Sequence, residues 1–409
     1  MSRVRKIAIG AFVLLLAGAL LVPRGDHDDP GLTPSGDQKY DDLATSRTAG
    51  TGAVTPEMSR EIDRVVAEGL TQGSPGRRVA PETLAESLVR CADLEGQRYC
   101  LGVGWTHRDP DQVQARIAGA ARAVAARGAV VPETTGDLDA LALLRRTAAM
   151  DPQERAEAER RELTAAARSV AKVWLLRHEL EGTPLPDGFL DRHPEARAPE
   201  GSVEARTAGT DAVARTKTRA DYPRRGVILK GRKVTEQVRS YWCGPASMQM
   251  IAWAWQGKRR TQGHWADKLG TTTDGSAISE MVRVVNGSTG FDGPDRAGPY
   301  VVLDISGYSY KKWLLLNMRH LVDYRAPLVL HPVLLKKYYP YLDDDASGHF
   351  QVGRGYDKRG KKPTQVGYFE PWNQQRFDPS EPYIARVQWR SAYKCYRANQ
   401  DHFQQNIGV

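Results

Sequence analysis

Three things are scarce in this chain: cysteine, gathered charge of one sign, and long apolar runs. The formal charge is +9 over 409 residues, yet Lys and Arg are scattered among acidic residues and form no one-sided stripe. No platform of stacking aromatics accompanies them, so the two features that nucleic-acid recognition combines are missing together. The charge suits attraction to an anionic bacterial surface instead. Only four cysteines are present, at 91, 100, 243 and 395. Such a set is too sparse for a disulfide scaffold and leaves each cysteine to be judged by its neighbours.

The single unbroken apolar run, Ile7 to Val22, falls short of the ~20 residues that a spanning helix needs. Arg3, Arg5 and Lys6 precede it, which is the charged start and apolar middle of an export signal. Ala17-Gly18-Ala19 offers a small-residue cleavage site, although Leu20-Leu21-Val22 continues the run beyond it. Cleaved secretion and retention as an anchor are both open. A secreted or extracellular location is expected, with attachment to a membrane or cell surface through residues 7–22 if they are retained.

Residues 23–55 are Gly, Asp, Thr, Ser and Pro with almost no bulky apolar side chains, and they read as a disordered tether. A mostly helical domain is expected over 56–182. Its clearest helix begins at Asp151-Pro152-Gln153-Glu154, where Asp151 can cap and Pro152 suits the first turn. Leu163, Ala167, Val170 and Trp174 then recur at helical spacing, while Glu157 and Arg161 pair on the outer face. Cys91 and Cys100 flank a Gly-containing turn, and a local disulfide is expected there. No chemistry is evident in this half: His107, His178 and His193 stand alone beside charged residues and read as solvated. The half could inhibit, target or bind. A Pro-rich linker follows over 183–225, and a domain of α+β class over 226–409 in which helices precede an antiparallel sheet.

Chemistry concentrates in Gln237-Val238-Arg239-Ser240-Tyr241-Trp242-Cys243-Gly244-Pro245-Ala246. Pro245 fits only a first helical turn, so Cys243 sits at a helix N-terminus, where unpaired N–H groups lower a thiol pKa. The Cys243 N–H and the Gln237 side-chain amide can supply the two donors that a developing oxyanion requires. A base is supplied by Gly348-His349-Phe350-Gln351-Val352-Gly353, which places His349 at the start of a strand. If the turn-rich stretch 357–363 closes a hairpin centred near Gly360, position 349 faces 371 or 372. Glu370 then lies diagonally within reach of the imidazole.

These motifs resemble the papain-like cysteine peptidases that remove double-glycine leaders from bacteriocins, together with their stand-alone secreted relatives. The likeness covers about residues 226–390. It implies a papain-like fold, with Cys243 as nucleophile, His349 as general base and acid, Gln237 at the oxyanion and Glu370 orienting the imidazole. That group usually has Asp before the Pro that follows Glu370, so Asn373 and Asp378 stand as alternatives. Cleavage after double glycine does not transfer, because no transporter segments follow.

Rival readings stay in view. Cys243 can pair with Cys395, and His331, in Leu328-Val329-Leu330-His331-Pro332, competes with His349 but lacks a hairpin partner carrying an acid. Tyr241 and Trp242 pack beneath the helix or line the cleft. His264 and His320 read as surface or packing residues. Asp343-Asp344-Asp345 lacks the ligand spacing of a calcium loop and reads as a solvated turn. No metal and no cofactor are expected. The expected partner is a peptide or protein substrate, hydrolysed through a Cys243 acyl-enzyme. Acyl transfer on the same site and an inactive exported binding domain are the competing functions.

Overall fold

The computed structural model describes residues 52–73, 75–76, 79–127, 134–197, 216–257, 259–289, 299–359, 364–372, 374–377, 379 and 383–409. The apolar run at 7–22, the tether up to residue 51, Asn373 and Asp378 lie outside them.

Among the described residues the first half has six helices: α1 (Pro56–Thr71), α2 (Pro81–Leu88), α3 (Pro110–Arg127), α4 (Ala140–Ala148), α5 (Pro152–Glu181) and the short α6 (Phe189–Arg192). The second half adds α7 (Cys243–Gln256), α8 (Gln262–Leu269), α9 (Ile278–Thr289), α10 (Tyr310–Val322), α11 (Gln374–Phe377) and α12 (Ala392–Gln400). None of the described helices is long and apolar enough to cross a membrane. Helix α5 starts as its sequence demands, with the Asp151 carboxylate accepting from the Gln153 N–H, and it stops at Gly182 in the left-handed region. Leu163, Ala167 and Val170 are buried along it, and Arg161 pairs with Glu157 at 3.7 Å.

Among the described residues ten strands form one sheet: β1 (Cys91–Leu94), β2 (Gln97–Cys100), β3 (Gly104–Thr106), β4 (Arg225–Val227), β5 (Val302–Asp304), β6 (Leu328–Leu330), β7 (Gln351–Asp357), β8 (Gln365–Phe369), β9 (Val387–Ser391) and β10 (Asn406–Gly408). The order is β1-β2-β3-β5-β10-β6-β7-β8-β9, with β4 also on β7. All pairings are antiparallel except β3 with β5. The mixed α/β architecture fits a papain-like domain, and its sheet runs on into the first half, which was expected to be mostly helical.

The reason lies in the excursion around the two cysteines. Cys91 faces Cys100 across the β1–β2 hairpin and is bonded to it. Strand β3 then reaches β5 of the second half through Trp105 and Leu303. Gly104 has φ of 105°, and a Cβ there would stand 2.5 Å from the Val302 carbonyl oxygen, so only glycine permits the approach. Across the same seam the Thr106 hydroxyl donates to Asp304 at 2.7 Å, and Arg319 of α10 pairs with Glu179 of α5. One apolar cluster consequently runs from Met58 and Ile62 through Leu163 and Cys243 to Val409. Part of the expected linker is packed too: Phe189 and Ala196 are buried against Ala171 and Leu175 of α5. His193, expected to be solvated, is buried between Glu95 at 2.7 Å and Glu195 at 3.0 Å.

Deleting the crosslink with Cys91→Ala/Cys100→Ala is expected to lower stability by about 3 kcal/mol, on the chain-entropy cost of closing so short a loop. The check is a lower urea midpoint for the variant. An unchanged midpoint would place the hairpin outside the cooperative core.

Candidate active site

Cys243 is the first residue of α7, as the Cys-Gly-Pro sequence requires, and the Trp242 carbonyl already accepts from the Ala246 N–H. Cys243 and Cys395 are both free thiols, so the competing disulfide between them is not formed. The helix packs on β7, and just before that strand the Phe350 carbonyl accepts from the Ser247 hydroxyl at 3.2 Å. This brings the thiol beside the residue that follows His349.

The hairpin also holds, with one bulge. Val352 faces Phe369 and Asp357 faces Gln365, with a register shift between Gly353 and Gly355. The strand starts at Gln351, two residues later than the expected position of its histidine. His349 precedes it, held by its N–H to the Pro332 carbonyl at 2.8 Å.

Glu370 receives four hydrogen bonds. His349 Nε2 stands 2.7 Å from its Oε1, which also accepts from the Trp372 N–H at 3.0 Å. Its Oε2 accepts from Tyr341 Oη at 2.8 Å and Gln351 Nε2 at 2.7 Å. Burial alone would raise this carboxyl, but attraction to His349 and these donors outweigh it and the pKa is lowered. An ionised carboxylate only accepts, so His349 Nε2 carries the proton of that bond. Its Nδ1 is buried without a hydrogen-bond partner among the described residues. The neutral tautomer therefore presents a bare Nδ1 lone pair, as a base should.

Gln237 is fully buried, and its own N–H donates to the Pro371 carbonyl at 2.8 Å, which ties it to the residue after Glu370. Its Nε2 and the Cys243 N–H both point at one acceptor, the carbonyl oxygen of Thr135, each at 3.2 Å. The two expected oxyanion donors thus converge on a single point. Gln237 Nε2 also bonds the Arg239 carbonyl at 3.0 Å and the Ser240 carbonyl at 2.6 Å, which fixes its orientation.

The thiol is not the ready thiolate that its helix start suggests. Cys243 is 0% exposed. Burial pushes its pKa well up, the charges of Asp137 and Glu370 add to the rise, and the Phe350 and Gly244 N–H groups oppose it. In this arrangement Cys243 is held as a neutral thiol.

Sequence reasoning missed Asp137 and His402, which share this neighbourhood with His331, read there only as a rival base. Asp137, His331 and His402 are buried together, with Asp137 2.8 Å from a ring nitrogen of each histidine. His331, the rival base, is engaged here: its Nδ1 meets Asn406 Oδ1 at 2.7 Å and its ring stacks on Phe350. Ligating atoms of the three lie within 4.8 Å of one another, close enough for a metal ion. His402 Nδ1, however, accepts from the Gln404 N–H at 3.2 Å, so its proton sits on Nε2, facing Asp137. A metal would need that nitrogen bare. No local pattern joins positions 137, 331 and 402, which explains why a reading by motif does not group them. His320 is a packing residue, fully buried, and Asp343-Asp344-Asp345 is an exposed turn.

Residues 230–401 match the Peptidase_C39 like family. The matched segment contains Gln237, Cys243, His349 and Glu370, and the match supports a papain-like cysteine peptidase of this type. Neither the curated proteins nor the solved structures contain a match to the chain.

The Asp137 cluster sets an acid limit on stability. Burial and the charge of His331 lower His402 from 6.5 to about 4, Asp137 opposing. The unfolded chain therefore takes up this proton first, and the stability present above pH 6.5 is lost as pH falls toward 4, by about 3 kcal/mol. Asp137 is lowered from 3.8 to about 2, burial alone being unfavourable but the two histidines outweighing it. Its contribution, present above pH 3.8, is lost as pH falls toward 2. Urea midpoints measured from pH 7.5 to 4 should fall steeply for the native chain and less for His402→Gln. Parallel profiles would show that His402 is not buried as a neutral ring.

Proposed function

We propose that the chain is a cysteine peptidase that hydrolyses peptide or isopeptide bonds through an acyl-enzyme on Cys243. The observation that carries this is the tied imidazole: His349 has Nε2 bound to Glu370 and Nδ1 buried without a hydrogen-bond partner among the described residues, directly before the strand on which the helix of Cys243 packs. In the proposed reaction Nδ1 takes the Cys243 proton as sulfur attacks the substrate carbonyl carbon. The oxyanion forms where the Cys243 N–H and Gln237 Nε2 converge. Collapse breaks the C–N bond, His349 returns the proton to the leaving amine, and water then cleaves the thioester. Glu370 keeps the imidazole in the productive tautomer throughout.

The export reading belongs to the same proposal: Arg3, Arg5, Lys6 and the run from Ile7 to Val22 support a leader or anchor that carries the chain out of the cytoplasm.

The test is cleavage of a peptide library, followed by mass spectrometry, at enzyme concentrations high enough to register slow turnover. Cys243→Ala and His349→Ala are each expected to reduce kcat/KM by about 10³-fold or more, and Gln237→Ala by about 10²-fold. Cleavage by Cys243→Ala equal to that of the native chain would overturn the assignment. Adding an amine nucleophile separates hydrolysis from acyl transfer, since a transferase would form the amide in preference to the acid.

A further inference from the structure

The oxyanion position is already filled by the chain itself. Thr135 lies between α3 and α4, over a hundred residues before Cys243, yet its carbonyl oxygen takes both the Cys243 N–H and the Gln237 amide. A peptide carbonyl held by these two donors stands where a substrate carbonyl would have to stand.

The flanking residues are fastened on both sides of the site. On the base side the Thr135 N–H donates to Ser347 Oγ at 3.1 Å, and the Thr135 hydroxyl donates to the carbonyl of Gly348, the residue before His349. On the helix side the Gly136 carbonyl accepts from the Ser276 N–H at 2.8 Å, and the Leu138 N–H donates to the Ser276 carbonyl at 3.1 Å. Residues 136–138 thereby pair with 276 as an added strand would. Gly136 has φ of 110°, and a Cβ there would stand 2.3 Å from the carbonyl carbon and oxygen of Tyr241. The segment presses onto the backbone just before the nucleophile with no room for a side chain. One residue on, Asp137 is clamped between His331 and His402. Thr135, Cys243, Gln237 and His349 are all 0% exposed. A cavity of about 500 Å³ exists elsewhere, lined by residues such as Tyr99, Glu162 and Tyr300, and none of the site residues lines it.

We propose that residues 134–138 are a built-in plug of the Cys243 cleft, seated by the Thr135 carbonyl in the oxyanion position and latched by Asp137 between His331 and His402, so that the chain is latent until the plug is withdrawn. The proposal rests on the peptidase reading for what the cleft does, but the occupancy stands on geometry alone. It accounts for a nucleophile buried at a site meant for peptides, and for a buried carboxylate whose partners come from residues far apart in sequence.

The test uses the full chain with two substitutions that unseat the plug and leave the proposed catalytic residues intact. Gly136→Ala places a methyl group against the Tyr241 backbone, and Asp137→Ala opens the latch. Alkylation by iodoacetamide at neutral pH, mapped by mass spectrometry, reads the access to Cys243, with buried Cys395 as internal reference. Both variants are expected to raise the labelling rate at Cys243 at least tenfold with Cys395 unchanged, and to raise peptide cleavage alongside. Labelling of Cys243 in the native chain as fast as in both variants would overturn the plug, and a parallel rise at Cys395 would show general loosening and overturn it equally. A cut between Thr135 and Gly136, present in the native chain and absent from Cys243→Ala, would make the segment a substrate and overturn it as well. The two readings fail separately. Faster labelling of Cys243 with no peptide cleaved by either variant leaves the plug standing and removes the peptidase. Cleavage by the native chain equal to that by both variants does the reverse.

Discussion

A carboxylate stripped of water organises the second half of this molecule. Removing an ion such as Glu370 from solvent costs several kcal/mol, and the cost is met only when its lone pairs are taken by well-placed donors. Four are supplied, from His349 just before β7, from β7 itself, from Tyr341 and from the backbone of Trp372. Each constrains a different stretch of chain. Together they hold the His349 imidazole by one nitrogen and leave the other, Nδ1, without a hydrogen-bond partner among the described residues. Loss of the carboxylate would leave several buried donors unsatisfied at once, so the same contact that sets the tautomer also holds the β7–β8 end of the sheet together.

What could be read from the sequence was whatever is specified locally. Pro245 two residues after Cys243 dictates a first helical turn, and α7 begins at that cysteine. The β7–β8 register pairs Val352 with Phe369, which brings Glu370 to His349 as the hairpin count predicts. Asp151 before Pro152 marks the start of α5 equally well. All three are decided within a few residues by backbone sterics or capping.

What could not be read is specified by tertiary contact. The three-residue strands β3, β5 and β10 carry too few residues for a periodic signal, and they exist because each finds a partner from a distant segment. His193 beside charged residues reads as solvated because sequence shows its neighbours and not the acids that bury it. The thiol pKa is the sharpest instance. Helix-start chemistry argues for a lowered value, and the argument is sound for an open cleft. It is overridden here because exclusion of water acts on the charged form more strongly than the N–H groups of one helix turn.

That override has a consequence for a chain carrying both a disulfide and two free thiols. Cys91 and Cys100 are bonded, whereas Cys243 and Cys395 are not. Thiolate, not thiol, attacks disulfides and reacts with oxidants, so a cysteine held neutral and away from solvent survives conditions that crosslink an exposed pair. The segment that fills the cleft thus does two things by one physical means. It takes the hydrogen bonds of the Cys243 N–H and the Gln237 amide, and by excluding water it keeps the Cys243 thiol in its unreactive protonation state. Withdrawal of the segment would reverse both together, because water entering the cleft favours the thiolate at the same moment that the oxyanion donors fall free. Occupancy of the cleft and the reactivity of Cys243 are on this argument one equilibrium, with Asp137 and its two histidines weighting the closed side.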